Sequence, residues 1–181
     1  MISIFLSYPK PHLAKQQEFI DLLCDYLKSR DFCPRTLGVT DYDMDEPLIA
    51  IRRLMLESNG LLTVAFRRSY ITNGTGKLNS DIPGIAAYDI SGSWLTSPYC
   101  HIEPAMAFQL GLPILIFREN GVLDDGILQH GVTGTYLPVF DLDKQPIKDY
   151  FASPEWTQLI NKWESLVRKV SDNKVRPPIL Y

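Results

Sequence analysis

The chain has 181 residues, 45% of them hydrophobic and 22% charged, with a formal net charge of -3, the balance of a globular protein with room for one full core. The slight acidity, with no basic run longer than Arg52-Arg53 or Arg67-Arg68, excludes a general nucleic-acid surface, because phosphate binding needs concentrated Lys and Arg. No window approaches the ~20 apolar residues of a bilayer span, and Cys24, Cys33 and Cys100 lack the spacing of a disulfide framework or a metal site, so the expectation is a cytoplasmic protein with reduced thiols, no membrane partner and no bound metal.

Residues 2 to 8, ISIFLSY, are an apolar run ending in polar residues, as in a buried strand that stops at a surface loop. From Pro11 to Arg30 the residues Phe19, Ile20, Leu23, Cys24 and Leu27 recur at three- and four-residue steps, the face of an amphipathic helix. A second strand over 31–37 would be an edge strand, because Pro34 cannot donate to a ladder. The acidic loop VTDYDMDEP follows, and Pro47 suits the first turn of a helix carrying Leu48, Ile51 and Met55, with Asn59-Gly60 as its stop.

LLTVAF, residues 61 to 66, predicts a strand covered on both faces. The segment 71–96 is rich in Gly, Asn, Ser, Thr and Asp; loops of that length are usually functional or disordered. Ser97 and Pro98 then predict a helix cap and first residue, Gly111 a helix stop, PILIF a buried strand and YLPVF (136–140) a fifth strand. Ser153 and Pro154 open a closing helix, about 153–171, with Trp156, Leu159, Ile160, Trp163, Leu166, Val167 and Val170 on one stripe.

Strands alternating with helices predict an α/β, flavodoxin-like three-layer fold with a five-stranded, mainly parallel sheet. The domain expected is a single one over 1–181. Ligands of such sheets bind beyond the carboxyl ends of the strands, where strand order reverses. That brings Ser7, Tyr8, Arg67 and Arg68 to one crevice. No GxGxxG or GxxxxGK[ST] occurs, so the common nucleotide fingerprints are missing.

One carboxylate invites chemistry. Glu103 has Cys100 at i-3 and Met106 and Ala107 at i+3 and i+4, so no cation shares its helix face. Spacing leaves two options open, a solvated side chain or a group facing a ligand. Tyr8, Trp94 and Tyr99 could stack on a base, Arg67 and Arg68 could hold a pyrophosphate, His101 could move a proton, and the acids 41–46 could attract a divalent ion. For each of these, packing or solvation is the competing explanation.

SPYCHIEPAMAFQLGLPILIF (97–117) resembles the Toll/interleukin-1 receptor (TIR) domain pattern S-x-W-C-x-x-E followed by a helix, Gly, Pro and a strand. IFLSY resembles that family's first strand, and DEPLIAIRRLMLESNGLLTVAFRRSY its second helix and third strand. In order, these cover about the first two thirds of the chain. The resemblance implies that Glu103 is the catalytic glutamate of an enzyme that cleaves the nicotinamide-ribose bond of NAD+, a substrate rather than a cofactor. It implies an ADP-ribose-derived signal for a downstream effector in antiviral defence of the Thoeris kind, and homo-oligomers. Ser7, Tyr8, Arg67, Trp94 and Tyr99 are then the substrate-binding candidates. Tyr99 stands where the family has tryptophan, the acidic loop lacks its Arg-Asp and Pro-Gly pattern, and Pro104 is expected to kink the helix or delay its start. Two alternatives keep different chemistry: a nucleoside 2-deoxyribosyltransferase-like enzyme with a glutamate nucleophile, and a non-enzymatic TIR adaptor acting by homotypic assembly.

Overall fold

The computed structural model describes residues 1–174; the last seven residues of the expected domain lie outside the described residues. β1 (Ile2–Ser7) leads into α1 (Ala14–Ser29), β2 (Phe32–Arg35), α2 (Pro47–Glu57) and β3 (Leu61–Ala65). Four two-residue strands follow, β4 (Ser69–Tyr70), β5 (Thr75–Gly76), β6 (Tyr88–Asp89) and β7 (Trp94–Leu95). Then come α3 (Tyr99–Gln109), β8 (Ile114–Glu119), the short 3-10 turn η1 (Gly126–Leu128), β9 (Val139–Phe140), α4 (Ile147–Phe151) and α5 (Pro154–Lys174).

The main sheet has the order β2-β1-β3-β8-β9, and every pairing in it is parallel. This is the flavodoxin-like order, with chain direction across the sheet reversing between β1 and β3. Pro34 lies on β2, an edge strand, where its missing N–H costs no ladder bond. Of YLPVF only Val139 and Phe140 pair with β8.

The period of two along each strand divides the core between two layers. Ile4, Leu6, Leu62, Val64, Leu115 and Phe117 face α1, α4 and α5, joining Phe19, Leu23, Tyr150, Trp156 and Trp163 in one cluster. Phe5 and Leu61 pack with Ile51 and Met55 of α2, while Ala65 and Ile116 pack with Cys100 of α3. The stripe of α5 is therefore core, although Leu166 turns outward at 42% exposure. Its one buried acid, Glu164, accepts from Tyr26 Oη (2.9 Å) and Arg30 Nε (3.1 Å), the pairing a buried carboxylate needs.

Two glycines in the sequence have different jobs. Gly111 has φ +70° and ends α3 in the left-handed conformation that glycine favours. Gly60 instead marks a close approach: α2 has already ended at Glu57, and a Cβ at 60 would lie 2.5 Å from Val167 Cγ2 and 3.3 Å from the Pro113 carbonyl. Gly60→Ala is expected to push α5 off the sheet and lower stability by about 1–3 kcal/mol. Val167→Ala should recover part of that loss in a double-mutant urea titration.

The segment 71–96 forms an arm. β4 pairs with β7 and β5 with β6, both antiparallel, and at its base the Trp94 ring packs against Tyr70 with centroids 4.9 Å apart and ring planes tilted by 56°, and Trp94 bridges to Val122. Two of the acids in the 41–46 loop are paired: Asp41 accepts from Arg35 Nη2 at 2.6 Å, and Asp43 pairs with Arg53.

Candidate functional site

The helix that carries Glu103 starts where the sequence requires. Pro98 has helical dihedrals, the Tyr99 N–H is received by Ser97 Oγ at 3.3 Å, and the Cys100 N–H reaches the Ser97 carbonyl at 2.9 Å. Ser97 thus satisfies the first free amides. Pro104 lies at the sixth position of α3, and the helix continues through it to Gln109, so it does not delay the start of the helix as one expectation had it. The buried residues Cys100, Glu103, Pro104 and Ala107 fall at helical spacing on the face that meets β1, β3 and β8. Glu103 therefore points into the protein, only 8% exposed.

Its surroundings form a cavity of about 250 Å³ beyond the carboxyl end of β1. Ser7, Tyr8, Lys10, Thr36, Ser97, Tyr99 and Glu103 supply its polar lining, and its apolar walls include Phe5, Leu37 and Ile51. The position is the one the strand order selects, at the reversal between β1 and β3. Thr36 is fixed by donating its hydroxyl to the Leu6 carbonyl at 2.8 Å.

Burial pushes the Glu103 carboxyl up from its ordinary 4.5 to about 7, because a charged carboxylate loses its water there. The Ser7 hydroxyl beside it draws the value partly back, yet Ser7 Oγ makes no hydrogen bond of regular geometry among the described residues. Thr63, opposite Ser7 in the parallel ladder, and Thr96 also have buried hydroxyls without a partner. Buried polar atoms are normally paired, so a hydroxyl without a regular hydrogen bond, in the cavity wall beside a carboxyl that joins no ion pair among the described residues, leaves donors and acceptors for a ligand to meet. Cys100, on the same helix face, is fully buried and burial raises its thiol to about 12, which removes it as a nucleophile.

Of the residues expected at the site, Ser7, Tyr8, Tyr99 and Glu103 come together in this cavity, and Arg67 and Trp94 do not line it. Arg67 is tied to its own surroundings: Nη1 meets Asp143 at 2.9 Å, Nε donates to the Asn120 carbonyl, and its backbone N–H reaches Glu119 Oε2 at 2.8 Å. Gln16 completes this clip by donating to Glu119 and to the Arg67 carbonyl. Arg67→Ala is expected to lower stability by roughly 1–3 kcal/mol and to leave substrate KM unchanged, which urea unfolding and steady-state kinetics would separate. Trp94 sits at the base of the arm, and no residue of 71–96 lines the cavity. Arg68 is exposed. His101 lies against Gly126 of η1, where burial lowers its pKa. Lys10 and Thr36 belong to the cavity and carry no periodic or motif signal in the sequence.

No helix among the described residues is long and apolar enough to cross a membrane. No family model matches the chain, and no curated protein matches it. Among solved structures, the protein is similar to the CMP N-glycosidase BcmB of Clostridium botulinum at 15% sequence identity and a TM-score of 0.47, over 83% of this chain and 94% of that one.

Proposed function

We propose that the protein breaks an N-glycosidic bond to ribose, that NAD+ is its substrate, and that Glu103 is the catalytic residue. The observation that carries this is the buried Glu103 carboxyl, which joins no ion pair among the described residues and shares its cavity with the Ser7 hydroxyl. Such bonds break through an oxocarbenium-like state, which one carboxylate stabilises by charge and by hydrogen bonds to ribose hydroxyls. Nicotinamide in NAD+ leaves as a neutral base and needs no proton, so a single carboxylate is enough. Ser7 takes a ribose hydroxyl, and Tyr8 and Tyr99 flank the base. The product is ADP-ribose or a form derived from it, released as a signal to an effector in antiviral defence. The resemblance of 97–117 to the TIR motif supports that part.

A second reading has one observation in its favour: a cavity of about 250 Å³ is just below the usual range for small-molecule sites and suits a nucleoside. In it, Glu103 attacks a 2-deoxyribose and transfers it to another base. Incubation with NAD+, and separately with a deoxynucleoside plus a free purine, distinguishes the two. Nicotinamide release without base exchange is expected; base exchange without nicotinamide release would transfer the assignment to the second reading.

A further inference from the structure

The cavity has one cation, and it is not an arginine of the β3 end. Among its lining residues only Lys10 is positively charged and only Glu103 is acidic. Lys10 is exposed and takes part in none of the ion pairs or side-chain hydrogen bonds among the described residues, whereas the neighbouring Lys15 is engaged by Leu142 and Asp143. Pro9 is buried before it and Pro11 follows, and each ring fixes its own φ, so the backbone carrying Lys10 is stiff. Lys10 is three residues beyond Ser7, at most about 11 Å along an extended chain, and it lines the same cavity as Glu103, so both groups lie within reach of one nucleotide. A cavity of about 250 Å³ encloses a ribose and a base and leaves any 5′ substituent at the mouth.

On the proposal that Glu103 acts at an N-ribosyl bond, we infer that Lys10 binds the substrate's 5′-phosphate, so that the site selects nucleoside 5′-phosphates and their diesters over nucleosides. A flexible ammonium group pairs with phosphate as a point charge. Its separation from Glu103 along the ligand keeps the anion away from the carboxylate and orients the ribose with C1′ inward. One lysine, without an arginine fork, accepts a terminal phosphate or the first phosphate of a longer chain. The recognised unit is thus one phosphorylated half of a dinucleotide.

The test is calorimetric binding to Glu103→Gln protein of nicotinamide mononucleotide and nicotinamide riboside, which differ only in the phosphate. The mononucleotide is expected to bind about tenfold tighter, the weight of one charged hydrogen bond. Lys10→Ala in the same background should erase that advantage, and Lys10→Arg should retain it. Equal binding of the two ligands, an advantage that survives Lys10→Ala, or no binding of either would overturn the inference. The outcomes separate from the proposal it rests on. Wild-type protein that binds the mononucleotide through Lys10 but releases no nicotinamide would defeat the glycosidase and leave phosphate recognition standing. Cleavage indifferent to Lys10 would defeat phosphate recognition alone.

Discussion

Replacing Glu103 with glutamine is expected to lower N-glycosidic cleavage by about 10³-fold while making the protein more stable at pH 8. The two effects have one cause. A glutamine keeps the shape but cannot ionise, so it removes both the charge that stabilises the ribosyl cation and the desolvation penalty of holding that charge in the cavity. The rise of the carboxyl from 4.5 to about 7 corresponds to roughly 3 kcal/mol lost from folding once Glu103 is ionised. Below pH 4.5 the carboxyl is neutral in both folded and unfolded chains and the penalty is absent. Between 4.5 and 7 the unfolded chain has released the proton and the folded one retains it, so stability falls as pH rises. Above 7 the penalty is fully present. Glu103→Gln should match the wild type near pH 4 and exceed it at pH 8 by about 1–3 kcal/mol, a rise of roughly 2–4 °C in melting temperature per kcal/mol. A solvated, catalytically idle Glu103 would give no difference at either pH. This stability readout needs no substrate, so it tests the burial of the carboxyl separately from its chemistry.

The largest expected loss of stability is at Trp163. Its ring is 3% exposed and belongs to the cluster that joins α5 to the sheet. The indole N–H is shared between the carbonyls of Leu61, at 3.1 Å, and Pro113, at 3.2 Å, the backbone just where β3 and β8 begin. Trp163→Ala leaves a cavity and removes the donor that the Leu61 and Pro113 carbonyls share, although Pro113 still accepts from the Leu61 N–H at 2.9 Å, and should cost about 3–5 kcal/mol. Trp163→Phe keeps most of the ring and loses the hydrogen bond, for about 1 kcal/mol. Guanidinium titrations of the two variants would read the difference. Equal small losses in both would mean that α5 is an appendage, and the aromatic stripe would need another explanation.

What the sequence made legible follows from what is local. LLTVAF, the stripe of α5 and the Ser97-Pro98 start of α3 are set by periodicity and capping within a dozen residues, and the structure has them. Glu103 was ambiguous for a physical reason: helix spacing gives its neighbours on α3 but not which face meets β1 and β3. Arg67 was expected to be a ligand group because its partners are remote; Glu119 and Asp143 lie 52 and 76 residues away. The acidic loop could be read as a solvated loop or an ion site; that Arg35 and Arg53 pair with Asp41 and Asp43 is a contact the local sequence does not announce. The arm of 71–96 has exposed residues on both sides of its short ladders, so no hydrophobic alternation announces it. Lys10 is a lone exposed lysine between two prolines, and only the folding of the chain around the end of β1 brings it to the cavity.

Glu103 as the single carboxylate of an N-glycosidic site is most directly tested by measuring nicotinamide release from NAD+ by wild-type and Glu103→Gln proteins, side by side, from pH 5 to 9. The ionised carboxylate is the active form on this account, so wild-type kcat/KM is expected to rise with pH through a midpoint near 7, where burial places the Glu103 pKa, and the variant should stay about 10³-fold below the wild-type maximum with no such rise. Release by Glu103→Gln at the wild-type rate, with the same pH profile, would contradict the account.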